Sequence, residues 1–251
     1  MGLSLEKIER YAPELLSLAK TASVAVQAKQ LHGQKAKVAL ALDFSGSMGP
    51  QYRNGSMQRL AEKVLALATQ LDDDGAIDLF LFSSHAEYVG EVTLLNFRNV
   101  IDRITSSRYM GTTNYADLFK KVLAHYDLTP REQKTGFFGR KTGKLLPLQS
   151  PVNEPVYVVF LTDGEADSES EAIREITNAS YSPVFWQFLS IGSASVGFLE
   201  ELDNLDSRWI DNANYEAVGN VDTISDEKLF NILLNEYPSW LEEERRRGQI
   251  R

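Results

Sequence analysis

The chain has 251 residues, 43% of them apolar and 24% charged, and its 26 Lys and Arg against 35 Asp and Glu leave a formal net charge of −9. That balance argues against a surface built to neutralise a phosphate backbone, so no nucleic-acid partner is expected. The sequence contains no cysteine, which excludes disulfides, thiolate zinc sites, iron–sulfur clusters and a cysteine nucleophile. The N-terminal twenty residues are broken by charge every few positions, unlike a secretory signal, and no stretch is long and apolar enough to span a bilayer. A cytoplasmic chain without membrane insertion is expected.

In chain order, Leu5, Ile8, Leu15, Leu16, Leu18 and Ala19 recur at helical spacing with a break at Pro13, predicting an N-terminal helical extension over residues 1–33. Residues 34–251 read as one domain. Val38–Asp43, Ile77–Ser83, Val156–Asp163 and Val184–Gly192 are short apolar runs of strand length, rich in β-branched and aromatic residues. Between them, Ser56 is the expected N-cap of a helix carrying Leu60, Val64, Leu67 and Leu71. Further helices are predicted over Ala116–Tyr126 and Glu169–Ala179, then a short strand over Asn214–Val218 and one C-terminal helix over Asp226–Arg247.

Strands alternating with helices predict an α/β fold: a doubly wound, mostly parallel central sheet with helices on both faces, Rossmann-like in layout. Residues 128–155, rich in Pro, Gly and cations, read as a long basic loop. Within it Gly139–Lys144 (GRKTGK) superficially suggests a phosphate-binding loop, but only three residues separate its glycines and Leu145 follows the Lys where Ser or Thr is required. The triplet Asp72-Asp73-Asp74 lacks the spacing of an EF-hand and reads as a polar turn before a strand. His32, His85 and His125 are scattered without ligand spacing, and Trp186, Trp209 and Trp240 read as core or interface anchors.

The chemistry concentrates where the first strand ends. Asp43-Phe44-Ser45-Gly46-Ser47 follows a buried strand directly, and at the C-terminal end of a parallel strand such side chains face the crevice in which open α/β sheets bind ligands. Thr112-Thr113-Asn114 precedes a helix, and Thr162-Asp163-Gly164-Glu165 follows another strand. Together they offer carboxylates and hydroxyls, hard oxygens suited to Mg²⁺, Mn²⁺ or Ca²⁺ rather than zinc or copper. Glu165, Asp167 and Ser168 are expected to solvate the third loop or cap the next helix, with outer-sphere contacts to an ion as the alternative.

This D-x-S-x-S pattern with a later Thr and a later Asp resembles the von Willebrand factor A domain and its metal-ion-dependent adhesion site. Carried over position by position, the resemblance assigns Asp43, Ser45, Ser47, Thr113 and Asp163 as metal ligands, with all five motif positions matched. It covers roughly residues 36–235, and ALDFSGSM, LDDDGAIDLFLFS, GTTNYADLF and FLTDGEA look most similar to the copine-like, TerF-type branch of bacterial tellurium-resistance and stress-response proteins. The resemblance implies Mg²⁺ (alternatively Mn²⁺ or Ca²⁺) held mainly by hydroxyls, with at least one Asp acting through water. It also implies an open coordination position that accepts a Glu or Asp from a protein partner, possibly another tellurium-resistance protein.

Two other classes compete. A Mg²⁺-dependent phosphoryl-transfer or hydrolytic enzyme would also use a carboxylate after the first strand, but Ser45 stands where a D-x-D mechanism wants an acid. No Gly-rich phosphate cradle appears, and Phe44-Ser45-Gly46 lacks the leading glycine of a G-x-S-x-G elbow. A scaffold that ignores the ion is the third class. The expectation is therefore a non-enzymatic, cation-dependent interaction module.

Overall fold

The apolar run Lys37–Asp43 forms β1, and every residue after Lys37 is buried because helices cover both faces of the sheet around it. The computed structural model describes residues 2–72, 74–135, 140–192 and 197–251; Asp73 of the acidic triplet and residues 136–139 of the basic segment lie outside them. Before β1 come α1 (Leu5–Tyr11) and α2 (Leu16–Ala28). After it follow α3 (Gly49–Arg53), α4 (Ser56–Leu71), β2 (Ile77–Phe82), β3 (Ala86–Val92), α5 (Val100–Thr105) and α6 (Tyr115–His125). The second half contains β4 (Arg131–Thr135), β5 (Arg140–Leu146), β6 (Val156–Thr162), α7 (Glu169–Ala179), β7 (Val184–Ile191), α8 (Gly197–Asp203), β8 (Ala213–Gly219), α9 (Asp226–Leu233) and α10 (Tyr237–Arg246).

The main sheet has the order β3-β2-β1-β6-β7-β8, parallel throughout except for β3, which runs antiparallel to β2. This is the mostly parallel α/β architecture expected from the alternating pattern. The chain leaves β1 toward β2 and returns on its other side as β6, so the C-terminal ends of β1 and β6 flank the switch point of the sheet.

Alternate residues of each strand feed opposite cores. Val38, Leu40, Leu42, Tyr157, Val159 and Leu161 join a core with Ile8, Ala19, Leu60, Val64, Phe230 and Trp240. Ala39, Ala41, Val158, Phe160, Trp186 and Phe188 face Leu118, Phe119, Val122, Ile176 and Leu199. Each such large apolar side chain contributes about 1.5–3 kcal/mol by leaving water. α1 and α2 share the first of these cores with α4 and α9, so the N-terminal helices complete a layer of the structure.

Three expectations are corrected. Ser56 is the first residue of α4 rather than its cap: Gly55 takes the cap position at φ +78°, and the Ser56 hydroxyl reaches Asp222 Oδ2 at 2.7 Å. That carboxylate also receives Arg59 at 2.6 and 2.8 Å, so a tertiary ion pair replaces local capping. The predicted C-terminal helix divides into α9 and α10 where Pro238, which has no N–H to continue a helix, enters at the first turn of α10. Within the expected long basic loop, Arg131–Thr135 and Arg140–Leu146 pair as the antiparallel strands β4 and β5, supported by the Thr142 hydroxyl donating to the Gln133 carbonyl at 3.0 Å. The edge strand β3 went unpredicted because only Ala86 and Val92 at its ends are buried. No helix among the described residues is long and apolar enough to cross a membrane.

Candidate metal centre

β1 carries Asp43 to the switch point and buries it completely. Three groups hold it there. The Ser45 N–H donates to Asp43 Oδ1 at 2.8 Å, closing a local turn in which the carboxylate caps its own loop. The hydroxyl of Thr162, last residue of β6, donates to Asp43 Oδ2, and the Tyr52 hydroxyl donates to the Asp43 carbonyl at 2.8 Å. Burial pushes the Asp43 carboxyl up to about 6, opposed by hydrogen bonds from Thr162 and Ser45 and reinforced by the charge of Asp163.

From this buried acid the donors step outward to solvent. Ser45 is buried, and its Oγ lies 3.1 Å from Ser47 Oγ; the exposed Ser47 hydroxyl donates to Asp163 Oδ1 at 2.8 Å. Asp43, Ser45, Ser47 and Asp163 are thus joined in one connected cluster although 116 residues separate Ser47 from Asp163. Thr113 stands on the neighbouring loop. Gly111, two residues before it, forms a parallel bridge to Ser45, with the Gly46 N–H donating to the Gly111 carbonyl at 3.2 Å and the Gly111 N–H to the Phe44 carbonyl at 3.1 Å.

The same loop is tied to the third by Asp167. Its Oδ1 accepts the Thr113 N–H at 3.1 Å, its Oδ2 accepts the Thr112 hydroxyl at 2.5 Å, and its own N–H donates to the Thr113 carbonyl at 2.9 Å. This corrects the expectation that Asp167 solvates its loop or caps α7. Thr112 also meets Ser84, with Oγ atoms 3.1 Å apart, so the Thr112 hydroxyl is engaged away from Asp43. Asn114 then caps α6, its side chain accepting the Asp117 N–H at 3.0 Å.

The sequence motif assigns Thr162 no role and Asp167 only the alternative of an outer-sphere contact. Thr162 sits at the end of an otherwise apolar strand, where a terminal Thr carries no distinct signal. The bonds from Asp167 to Thr112 and Thr113 emerge only once the loops are brought together. Beneath them the Tyr115 hydroxyl donates to the Gly164 carbonyl, and its ring packs edge-on to Phe160 at 4.8 Å, seating the floor of the site on the aromatic core.

The two carboxylates and two serine hydroxyls of this cluster, with Thr113 on the adjoining loop, are hard oxygens of the kind that suit a small divalent cation. The described residues contain no cluster of three His, Cys, Asp or Glu suited to a metal, so any ion here depends on Ser and Thr oxygens. His32 and His85 are exposed, and His125 packs against Tyr88 at 4.2 Å beside Asp78, away from these loops. Arg140 to Lys144 lie within β5 rather than in a turn leading into a helix.

Residues 35–137 and 146–250 match the family described as vWA-TerF-like, the vWA domain found in the TerF C terminus. The chain belongs to this family. It is also 33% identical over 236 residues to the uncharacterized protein YcbR of Bacillus subtilis (strain 168), covering 92% of this chain and 88% of that one. Among solved structures, proximal thread matrix protein 1 from the mussel byssus superimposes with a TM-score of 0.52 at 15% identity, over 82% of this chain and 48% of that one. A second structure of the mussel protein, with a zinc-occupied MIDAS motif, gives 0.47 at 15% identity over 82% and 46%. This chain spans about half the length of that protein, and the likeness is one of fold.

Proposed function

We propose that the chain is a non-enzymatic, cation-dependent protein-interaction module. In this reading residues 34–251 form the von Willebrand A unit and residues 1–33 a helical extension sharing its core. Asp43, Ser45, Ser47, Thr113 and Asp163 hold Mg²⁺, or alternatively Mn²⁺ or Ca²⁺. The supporting observation is the connected cluster from buried Asp43 through Ser45 and Ser47 to Asp163 at the switch point. The zinc-occupied site of the mussel protein belongs to that protein; here the ion is inferred from the oxygen donors.

A divalent ion so bound supplies an electrophilic centre for an incoming carboxylate. The chain's own residues set the conditions for it. Asp43 is fixed by Thr162 and the Ser45 N–H, so its carboxylate is oriented before an ion arrives. Three neutral hydroxyls against two carboxylates keep the ligand charge low, so a partner's Glu or Asp gains strongly from joining the ion. Exposed Ser47 lies on the open side, where such a carboxylate enters.

The partner is a protein, and the family match to a TerF domain supports placing it in a cytoplasmic tellurium-resistance or metal-stress complex. Equilibrium dialysis of metal-stripped chain against Mn²⁺, with and without acetate as a carboxylate probe, tests the site. Saturable binding strengthened by acetate is expected. Metal-dependent hydrolysis of phosphoesters that is lost in Asp43→Ala would instead favour the enzymatic reading.

A further inference from the structure

The loop that supplies Thr113 also presents Tyr109, 95% exposed, and Met110, 36% exposed. The chain is held directly after them, because Gly111 is bridged to Ser45 and bonded to Phe44 and Gly46. An aromatic side chain standing free on an ordered backbone can be covered at small entropic cost. Beside it, Arg53 at the end of α3 is exposed and makes no ion pair among the described residues. The Arg53 guanidinium and the Met110 thioether converge over Gly49, two residues beyond Ser47: a methyl group on the Gly49 Cα would lie 3.0 Å from Arg53 Nη1 and 3.6 Å from Met110 Sδ.

Arg53 and Met110 thus meet over Gly49 beside Ser47, and the exposed Tyr109 adjoins Met110 in the chain, an apolar pair next to one cation on a chain of net charge −9. Asp163 and the exposed Glu165 border the site from the third loop and disfavour acid on their side. We propose that Tyr109, Met110 and Arg53 form a rim that reads the residues flanking the carboxylate that enters the metal centre. The occupant is an exposed segment of another protein carrying Asp or Glu with a large apolar side chain within two residues. The apolar group covers Tyr109 and Met110, while Arg53 draws the acidic segment to this side. The proposal rests on the carboxylate-accepting reading and adds a sequence preference to it.

Selection of a random heptapeptide display library on the immobilised full-length chain in Mn²⁺ tests it, with parallel selections in EDTA and on Tyr109→Ser/Met110→Ser. Both substituted side chains are surface residues outside the metal donors, and Mn²⁺ affinity of the double variant, measured alongside, is expected to match the parent. The expected result is a Mn²⁺-dependent consensus of an acid with a neighbouring Leu, Phe or Met that relaxes to acid alone on the double variant. Synthetic peptides of that consensus should bind the variant at least threefold more weakly. A Mn²⁺-dependent acidic consensus with no apolar preference, or a preference unchanged in the variant, overturns the rim and leaves the metal reading intact. Enrichment that persists in EDTA overturns the metal reading, and no enrichment at all overturns both.

Discussion

Asp167 grips the peptide groups of Thr113 from both sides, its Oδ1 accepting the Thr113 N–H at 3.1 Å and its own N–H returning to the Thr113 carbonyl at 2.9 Å. Since Oδ2 also takes the Thr112 hydroxyl, one side chain fixes the second loop against the third. Asp167→Ala frees that loop without touching the proposed donors. It is expected to weaken Mn²⁺ binding by about tenfold, as loss of outer-shell support does elsewhere, with little change in Tm. Asp167→Asn, which keeps an acceptor for the Thr113 N–H, should fall between. Titration calorimetry of the three proteins measures this, and equal affinities would show that the latch does not position Thr113.

Thr162 supplies the sole side-chain hydroxyl bonded to buried Asp43 Oδ2 among the described residues. Thr162→Val preserves shape and removes the donor, leaving a buried carboxylate oxygen without that partner. Urea unfolding is expected to show a loss of about 1–3 kcal/mol, while Thr162→Ser retains most of the stability. A Val variant as stable as the parent would mean that another donor takes over.

Much of this layout could be read from the sequence, for identifiable reasons. β1, β2, β6 and β7 announce themselves because burial on both faces forces continuous apolar runs such as Val156–Leu161. The edge strand β3 and the β4–β5 pair lie largely in solvent, so Glu87, Tyr88 and Glu91 carry no burial pattern to detect. In the site, loop-end residues at strand junctions were legible, whereas Thr162 and Asp167 act through partners distant in sequence. Pro238 was a visible helix breaker, and the predicted 226–247 helix divides where it enters.

Glu244 on α10 is fully buried, and neither carboxylate oxygen has a hydrogen-bond partner among the described residues. Burial pushes its carboxyl from 4.5 up to about 8, with Arg247 only partly opposing. The folded state therefore binds more protons than the unfolded chain across that interval, so stability falls as pH rises from 4.5 to 8; the penalty is absent below the interval and complete above it. Glu244→Met is expected to stabilise the chain by roughly 3 kcal/mol at pH 8.5, with the advantage shrinking toward pH 5. Urea unfolding at several pH values provides the comparison, and a pH-independent difference would contradict the assignment.

In the proposed reading, three loops at the β1–β6 switch point bind a divalent cation through Asp43 and the hydroxyls beside it. That reading is tested most directly by calorimetric titration of metal-stripped chain and of Asp43→Ala with Mg²⁺ and Mn²⁺, with circular dichroism to confirm that the variant is folded. One saturable site in the parent and none in the folded variant is the predicted result; equal binding by both, or no saturable site in the parent even with acetate present, would contradict it.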